Sequence, residues 1–158
     1  MKLISIDPGV ERVGIAIIEK EKGGKEIVLF SECFKTSAKL PYGERLALIG
    51  EEIAAVIKKW KPTAMAIEKL YFETNKTTAM AVAEARGVII YEASREGLKI
   101  FEYTPMEIKV AVTGYGKSDK RAIMNLVPKL VKLPSRTMID DEIDAIAVGL
   151  TAFAIERF

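Results

Sequence analysis

The chain of 158 residues contains no histidine and a single cysteine, Cys33. Without histidine, the protein cannot use a Ser-His or Cys-His nucleophile, and it cannot build a zinc site of the HExxH type. A lone cysteine cannot form a disulfide within the chain, which is typical of a reducing compartment, so we expect a cytoplasmic protein. Carboxylates are therefore almost the only side chains left that could support hydrolytic chemistry.

Long hydrophobic runs are also missing. No apolar segment approaches the roughly 20 residues that a membrane-spanning helix needs. The first residues, MKLISIDPGVERVG, do not form the apolar core of a signal peptide because Asp7 and Pro8 interrupt them. With 49% hydrophobic and 29% charged residues, the composition is that of a globular protein. We therefore expect residues 1–158 to fold as one domain that does not contact a membrane.

The net charge of +2 is small, but the charges are unevenly distributed. Residues 99–136 contain eight Lys or Arg against three Asp or Glu, whereas residues 137–158 contain one against five. A basic block followed by an acidic one could form a polyanion-binding surface beside a metal site. The alternative is two solvated faces of the protein, and the charge counts alone favour that alternative.

Hydrophobic periodicity predicts the order βββαβαβααα. The strands are expected at 2–7, 13–19, 26–34, 63–68 and 98–103, and Gly23-Gly24 is expected to form a hairpin turn. Helices are expected at 42–60, from 77 to about 96, after Thr104, from Ser118 to Pro134, and at 140–155. This order indicates an α/β fold with a mixed five-stranded sheet, antiparallel in its first three strands and then parallel through helical crossovers.

Four acidic residues occupy positions that such a fold could bring together. Asp7 and Glu68 each end a short apolar run, and Asp141 and Asp144 lie one helical turn apart on one face of the last helix. Magnesium and manganese prefer oxygen ligands, and two such ions about 4 Å apart can activate water against a phosphodiester. Taken singly, each acid could instead be a turn, loop or helix-start residue.

Basic and aromatic residues surround these acids in the sequence. Lys109 and Lys120 lie in the basic block, where they could bind phosphate or could simply be solvated helix lysines. The loop after Glu68 mixes basic and aromatic residues, which suits stacking on unpaired bases, although the aromatic pair could equally close the core under the loop. The loop residues concerned are Lys69, Tyr71, Phe72 and Lys76.

The segment DPGVERVG raises a competing interpretation. It matches D-x-G-x-x-x-x-G, which resembles the first phosphate loop of the actin and sugar-kinase ATPases. That fold requires two such domains in a chain well over twice as long, and no second phosphate loop is evident in this sequence. We therefore do not favour an ATPase.

Four short motifs occur in a family-specific order: Asp7-Pro-Gly, Ala66-Ile-Glu68, Ala85-Arg86-Gly87 and Asp141-x-x-Asp144-Ala-Ile-Ala. With them the chain resembles the RuvC family of Holliday-junction resolvases, in the ribonuclease H-like superfamily, from about Lys2 to Phe153. The resemblance implies a ribonuclease H-like sheet with helices on both faces. It also implies a homodimer that makes paired symmetric nicks in a four-way DNA junction.

The resemblance further implies two Mg²⁺ ions per active site, with Mn²⁺ as a possible substitute, and the branch-migration complex RuvA/RuvB as a partner. Asp7, Glu68, Asp141 and Asp144 fall on the family's metal-binding catalytic acids, and Lys109 and Lys120 fall on its active-site lysines. Tyr71 falls where the family usually has a phenylalanine that stacks on junction bases. The other expected DNA contacts are Lys69, Phe72, Asn75, Lys76, Arg86, Lys117 and Arg121.

Two rival functions follow from the same residues. A ribonuclease H-like nuclease could cut RNA–DNA hybrids or other branched nucleic acids, and a binding module could lack catalysis altogether, although intact acids argue against the latter. The helix that ends at Arg95 is rich in small residues, which permit close approach either to the sheet or to a second subunit.

Overall fold

A computed structural model describes residues 1–70 and 76–158, although the side chains of Lys76 and Thr77 are not included. The strands are β1 (Lys2–Asp7), β2 (Arg12–Glu19), β3 (Ile27–Lys35), β4 (Ala64–Glu68) and β5 (Lys99–Tyr103). The helices are α1 (Tyr42–Trp60), α2 (Lys76–Arg95), α3 (Pro105–Thr113), α4 (Lys120–Leu130) and α5 (Asp140–Ile155).

The described strands form one five-stranded sheet in the order β3-β2-β1-β4-β5. β1 pairs antiparallel with β2 and β2 antiparallel with β3, whereas β1–β4 and β4–β5 are parallel. Hairpins can join antiparallel strands, but parallel pairs need crossovers, and α1 and α2 supply them here. The predicted α/β fold with its mixed sheet is confirmed.

Side chains that alternate along the strands fill a separate core on each face of the sheet. On one face, Ile4, Ile15 and Ile67 pack with residues of α1 and α2, such as Ile53 and Ile89. On the other face, residues of the same strands pack against α3, α4 and α5, with α5 directly on the sheet. Strands covered on both faces are expected to be apolar on both faces, as the sequences of β1, β2 and β4 are.

Helix α5 runs unusually close to the sheet at two glycines. A Cβ atom added at Gly14 of β2 would overlap the carbonyl oxygen of Asp141, and one added at Gly149 would meet Ser5 Oγ of β1 at 2.7 Å. Only residues without a side chain allow this approach. The contact at Gly14 places the start of α5 against β2. Because Gly14 is paired with Asp7 in the sheet, this contact also brings Asp141 close to the end of β1.

The start of α3 follows the predicted capping chemistry, whereas α4 begins at Lys120 and not at the predicted Ser118. The side chain of Thr104 accepts a hydrogen bond from the Glu107 N–H, and Pro105 occupies the first turn of α3. Asp119 caps α4 by accepting a hydrogen bond from the Ala122 N–H. Helix α4 ends at Leu130, before the predicted Pro134, because Val131 is extended and the Lys132 carbonyl accepts a hydrogen bond from the Val28 N–H of β3.

Within the described ranges, no helix has the length and apolarity needed to cross a membrane.

Candidate active site

Two strand ends place the first pair of acids. Asp7 is the last residue of β1 and Glu68 the last of β4, and the parallel register pairs Ile6 with Ile67 directly before them. Both side chains are half-buried, and the hydrogen bond between the two carboxyl groups contributes to both of their pKa values. Burial, together with the charges of Glu68, Asp144 and Asp141, raises the pKa of Asp7 to about 8. Burial also raises the pKa of Glu68.

The second pair of acids comes from the first turn of α5. Asp141 and Asp144 both act electrostatically on Asp7, so all four acids meet at the carboxyl-terminal edge of β1 and β4. Burial raises the pKa of Asp144. Asp141 pairs with the guanidinium of Arg12. Its buried Oδ2 nevertheless accepts no hydrogen bond of regular geometry from the described residues.

Two lysines lie beside these acids. Lys109 of α3 and Lys120 of α4 line one cavity of about 240 Å³ together with Glu68 and Asp144. Lys109 acts on Glu68 and partly offsets the effect of burial on its pKa. Burial alone would lower the pKa of Lys120, but hydrogen bonds to Asp140 and Asp144 raise it to about 12. The lysine therefore carries its charge throughout the physiological pH range.

A second cavity of about 200 Å³ adjoins the first. Asp7, Glu68 and Lys69 line it, and Glu68 borders both cavities. The exposed side chain of Lys69 thus lies next to the acids. A negatively charged chain could pass over this edge of the sheet, with lysines on either side of the carboxylates.

Three comparisons with known proteins bear on this site. The family model described as crossover junction endodeoxyribonuclease RuvC matches residues 3–152. The chain belongs to the RuvC family. A curated relative of that name from Desulfitobacterium hafniense is 41% identical over 150 residues, covering 95% of this chain and 90% of the relative. One from Prochlorococcus marinus is 40% identical over 156 residues, covering 99% and 100%.

Solved RuvC structures share the fold. The Thermus thermophilus RuvC structure has a TM-score of 0.87 at 28% identity and covers 98% of this chain and 94% of its own. The T. thermophilus RuvC in complex with a Holliday junction substrate has a TM-score of 0.89 at 28% identity, with coverages of 97% and 93%. RuvC-family nucleases use divalent metal ions.

The residues of this RuvC-family chain suit such an ion chemically. Four carboxylates supply hard oxygen ligands, burial raises the pKa of three of them, and one buried oxygen of Asp141 has no regular hydrogen bond among the described residues. A bound cation would relieve that electrostatic cost. Among the described residues, no group of three acidic or cysteine side chains has the arrangement of a formed metal site. Arg12 and Lys120 instead engage Asp141 and Asp144.

The predicted DNA contacts fall into three groups. Lys69, Lys117 and Arg121 are exposed, the first two on loops and Arg121 on α4, and Lys69 also lines a cavity with Asp7 and Glu68. Arg86 of α2 is different, because its side chain is only 16% exposed and is bound to Glu102 and to the Glu68 carbonyl. Tyr71, Phe72 and Asn75 lie outside the described residues, and Lys76 is described only as the first residue of α2.

The sequence reasoning missed several residues around the site. Arg12 pairs with both Asp140 and Asp141, across 128 residues of sequence in the first case. Asp140, an acid in the first turn of α5 that suits the helix dipole, also binds Lys120 at 3.0 Å. This hydrogen bond is the main reason that the pKa of Asp140 falls to about 2. No local pattern identifies these pairs, because both depend on how distant elements pack.

Glu142 also lies in the first turn of α5, and it accepts a hydrogen bond from the Ile139 N–H at 3.0 Å. It is also 4% exposed and accepts hydrogen bonds from Ser31 Oγ and from Arg136. Arg136 in turn donates to the Ser31 carbonyl at 2.6 Å. This buried network ties the first turn of α5, and with it Asp141 and Asp144, to β3.

Proposed function

We propose that the chain is a divalent-metal-dependent endonuclease that resolves Holliday junctions by paired symmetric nicks. The observation that carries the proposal is the meeting of Asp7 and Glu68 with Asp144 at one sheet edge, beside a cavity lined by Lys109 and Lys120. The T. thermophilus member of the same family, which has the same fold, was solved in complex with a Holliday junction substrate.

In this proposal each side chain has a definite task. Asp7, Glu68, Asp141 and Asp144 would hold two Mg²⁺ ions, or Mn²⁺ in their place, and the ions when bound would supply an activated water and stabilise the leaving oxygen. Lys109 and Lys120 would neutralise charge on the scissile phosphate. Because the pKa of Asp7 is raised to about 8, Asp7 must lose its proton before it and Glu68 can both act as anionic ligands.

The exposed basic residues Lys69, Lys117 and Arg121 would contact the DNA backbone. Tyr71, Phe72, Asn75 and Lys76 would complete the contact near the junction centre, as the resemblance implies. Backbone contacts would bring affinity and a strong dependence on salt, while the junction's shape would bring selectivity.

A homodimer is part of the proposal because symmetric nicks need two active sites. The outer faces of α1 and α2 expose apolar side chains, with Tyr91 60% and Leu48 36% exposed, and a shallow groove runs between the helices at Gly50 and Val88. A second copy of the chain would cover this surface. Analytical ultracentrifugation of the wild type and of Tyr91→Glu tests it: we expect a dimer that the variant weakens, and a persistent wild-type monomer would contradict the symmetric model.

We also propose a single domain over residues 1–158, a cytoplasmic location, and RuvA/RuvB as the partner complex. These three statements follow from the composition and the resemblance. The partner is tested by asking whether RuvA/RuvB-bound junctions are still cut.

A nicking assay on matched substrates tests the function. Four-way junction, linear duplex and RNA–DNA hybrid of the same sequence are incubated with Mg²⁺, and we expect cleavage of the junction in two opposed strands. Asp7→Asn should abolish cleavage but preserve junction binding, because it removes an acid that disfavours nearby phosphates. Preferential cleavage of the hybrid would contradict the resolvase function, and unchanged cleavage by the variant would contradict the assigned site.

A further inference from the structure

Arg86 is bound inside the protein, directly behind one of the proposed metal ligands. Its Nε donates a hydrogen bond to the main-chain carbonyl oxygen of Glu68 at 3.0 Å. Its terminal nitrogen pairs with the carboxylate of Glu102 on β5. Both partners therefore belong to the sheet, while Arg86 itself comes from α2. The guanidinium bridges a helix and the ends of two strands.

The register of the sheet explains why these partners lie close together. β4 and β5 pair in parallel, with Ile67 opposite Glu102 and Glu68 opposite Tyr103. The next peptide is also fixed, because the Lys69 N–H donates to the Tyr103 carbonyl at 2.7 Å. The backbone on both sides of Glu68 is thus held at the point where the strand ends and the chain turns away.

The side chain of Arg86 has little capacity left for an external ligand. It is 16% exposed, and burial lowers its pKa, while Glu102 supplies the carboxylate that pairs with it. An arginine placed to bind a DNA phosphate would point its planar group of donors outward. Here that group serves one carboxylate and one backbone carbonyl, and a lysine could not make both bonds in the same geometry.

We propose that Arg86 is a positioning residue for Glu68 and not a contact to DNA. It anchors the backbone carbonyl of Glu68, so that the carboxylate stays directed toward Asp7, and Glu102 holds Arg86 in place. The inference rests on the proposed metal-binding role of Glu68. Groups that orient a ligand in this way contribute substantially to metal affinity, and losing one typically weakens binding by about 10- to 100-fold.

Three variants and a control separate positioning from DNA contact. Arg86→Ala removes both bonds, Arg86→Lys keeps the charge but not the paired geometry, and Glu102→Gln leaves the arginine but weakens its anchor. Arg157→Ala is the control, because it removes an exposed positive charge far along the chain from α2. Thermal unfolding of each variant is recorded first, so that only folded proteins are compared. If Arg86→Ala does not fold, Arg86→Lys and Glu102→Gln are compared with the wild type instead.

The first measurement is Mn²⁺ binding to the DNA-free protein, followed by electron paramagnetic resonance. We expect Arg86→Ala to weaken binding about 10-fold or more, with smaller losses for Arg86→Lys and Glu102→Gln and none for the control. Unchanged Mn²⁺ affinity in Arg86→Ala would overturn the proposal. Raising the Mn²⁺ concentration should partly restore junction cleavage by the variants.

The second measurement is the salt dependence of junction binding without a cleavage-supporting metal. A positioning residue leaves the slope of log affinity against log salt unchanged, whereas a lost phosphate contact reduces it by about one. A reduced slope with normal Mn²⁺ binding would assign Arg86 to the DNA and overturn the proposal. Failure of the wild type to cut junctions would refute the proposed function instead, while the Mn²⁺ comparison would still decide the role of Arg86.

Discussion

Lys120 forms an ion pair with Asp144 at the edge of the active-site cavity, with Nζ 3.0 Å from Oδ2. A proposed phosphate-binding lysine thus touches a proposed metal-binding acid. The same nitrogen lies 3.0 Å from Oδ2 of Asp140, which is not among the four acids. Asp140 therefore provides Lys120 with a second carboxylate partner besides Asp144.

Lys120→Ala should reduce junction cleavage at least about 100-fold, which is the usual effect of removing a group that stabilises transition-state charge. Lys109→Ala should act in the same direction. Cleavage is measured under single-turnover conditions, with the enzyme in excess over the junction and at a concentration above the Kd. The rate then reports the chemical step and not a loss of binding. Asp140→Asn is the matched comparison and should have a smaller effect, because Asp144 still holds the lysine. Unchanged rates in both lysine variants would remove them from the mechanism.

Gly14→Ala should reduce both stability and cleavage. A methyl group at this position overlaps the Asp141 carbonyl, so α5 must move away from β2 and carry Asp141 and Asp144 with it. Overpacking of this kind costs about 1–3 kcal/mol. Urea denaturation and cleavage rates measure the two effects.

Gly43→Ala provides the control for that experiment. Gly43 lies in α1, and a Cβ atom there meets no other atom within 4 Å. Replacing a helical glycine by alanine is expected to be neutral or stabilising by up to about 1 kcal/mol. Equal behaviour of the two alanine variants would contradict a special role for Gly14.

The glycines of DPGVERVG show how a sequence motif can suggest the wrong chemistry. Their spacing resembles a phosphate loop, but their contacts are internal. A Cβ atom at Gly9 would overlap the carbonyl of Arg12 in a tight turn, and Gly14 allows the close approach of α5. The sequence shows that glycine stands at these positions, but only the packing shows why a larger residue would not fit.

The positions of Asp7 and Glu68 were predictable, because both residues end apolar runs and neighbouring parallel strands end at the same edge of a sheet. The helix start at Thr104 was predictable from local hydrogen bonding, whereas the cap of α4 is Asp119 and not the predicted Ser118. The partners of Arg86, Arg12 and Glu142 were not predictable. Each is decided by contacts between elements far apart in the sequence, and nothing local distinguishes buried Glu142 from its half-exposed neighbour Asp140.

Arg136→Ala should destabilise the protein by leaving the buried carboxylate of Glu142 without its cation. Removing one partner of a fully buried pair costs about 3–5 kcal/mol, and we expect about 2 kcal/mol here, because the side chain of Arg136 is 43% exposed. Adding Glu142→Gln should recover part of the loss, since a neutral amide no longer needs the cation. The urea midpoints of the wild type, the two single variants and the double variant form a double-mutant cycle. Strictly additive losses would show that the two residues do not act together.

Glu32 on β3 should make stability depend on pH near neutrality. Burial, with the charge and hydrogen bond of Glu52 on α1 and the charge of Glu142, raises the pKa of Glu32 from 4.5 to about 7, and Lys59 opposes this shift. Since the folded protein holds this proton more tightly than the unfolded chain, the stabilisation is complete below about pH 4.5 and is lost as the pH rises through 7.

Glu32→Gln keeps a neutral side chain at every pH, so the variant should match the wild type at pH 5 and exceed it in stability at pH 8. Because Glu32 is partly exposed, solvent screening reduces the expected difference to on the order of 1 kcal/mol, or about 2–4 °C in Tm for a protein of this size. Thermal unfolding from pH 5 to pH 8 in the presence of a chelator measures it. Glu52→Gln should flatten the profile in the same way, and parallel Tm curves for the wild type and Glu32→Gln would show that Glu32 does not hold the proton.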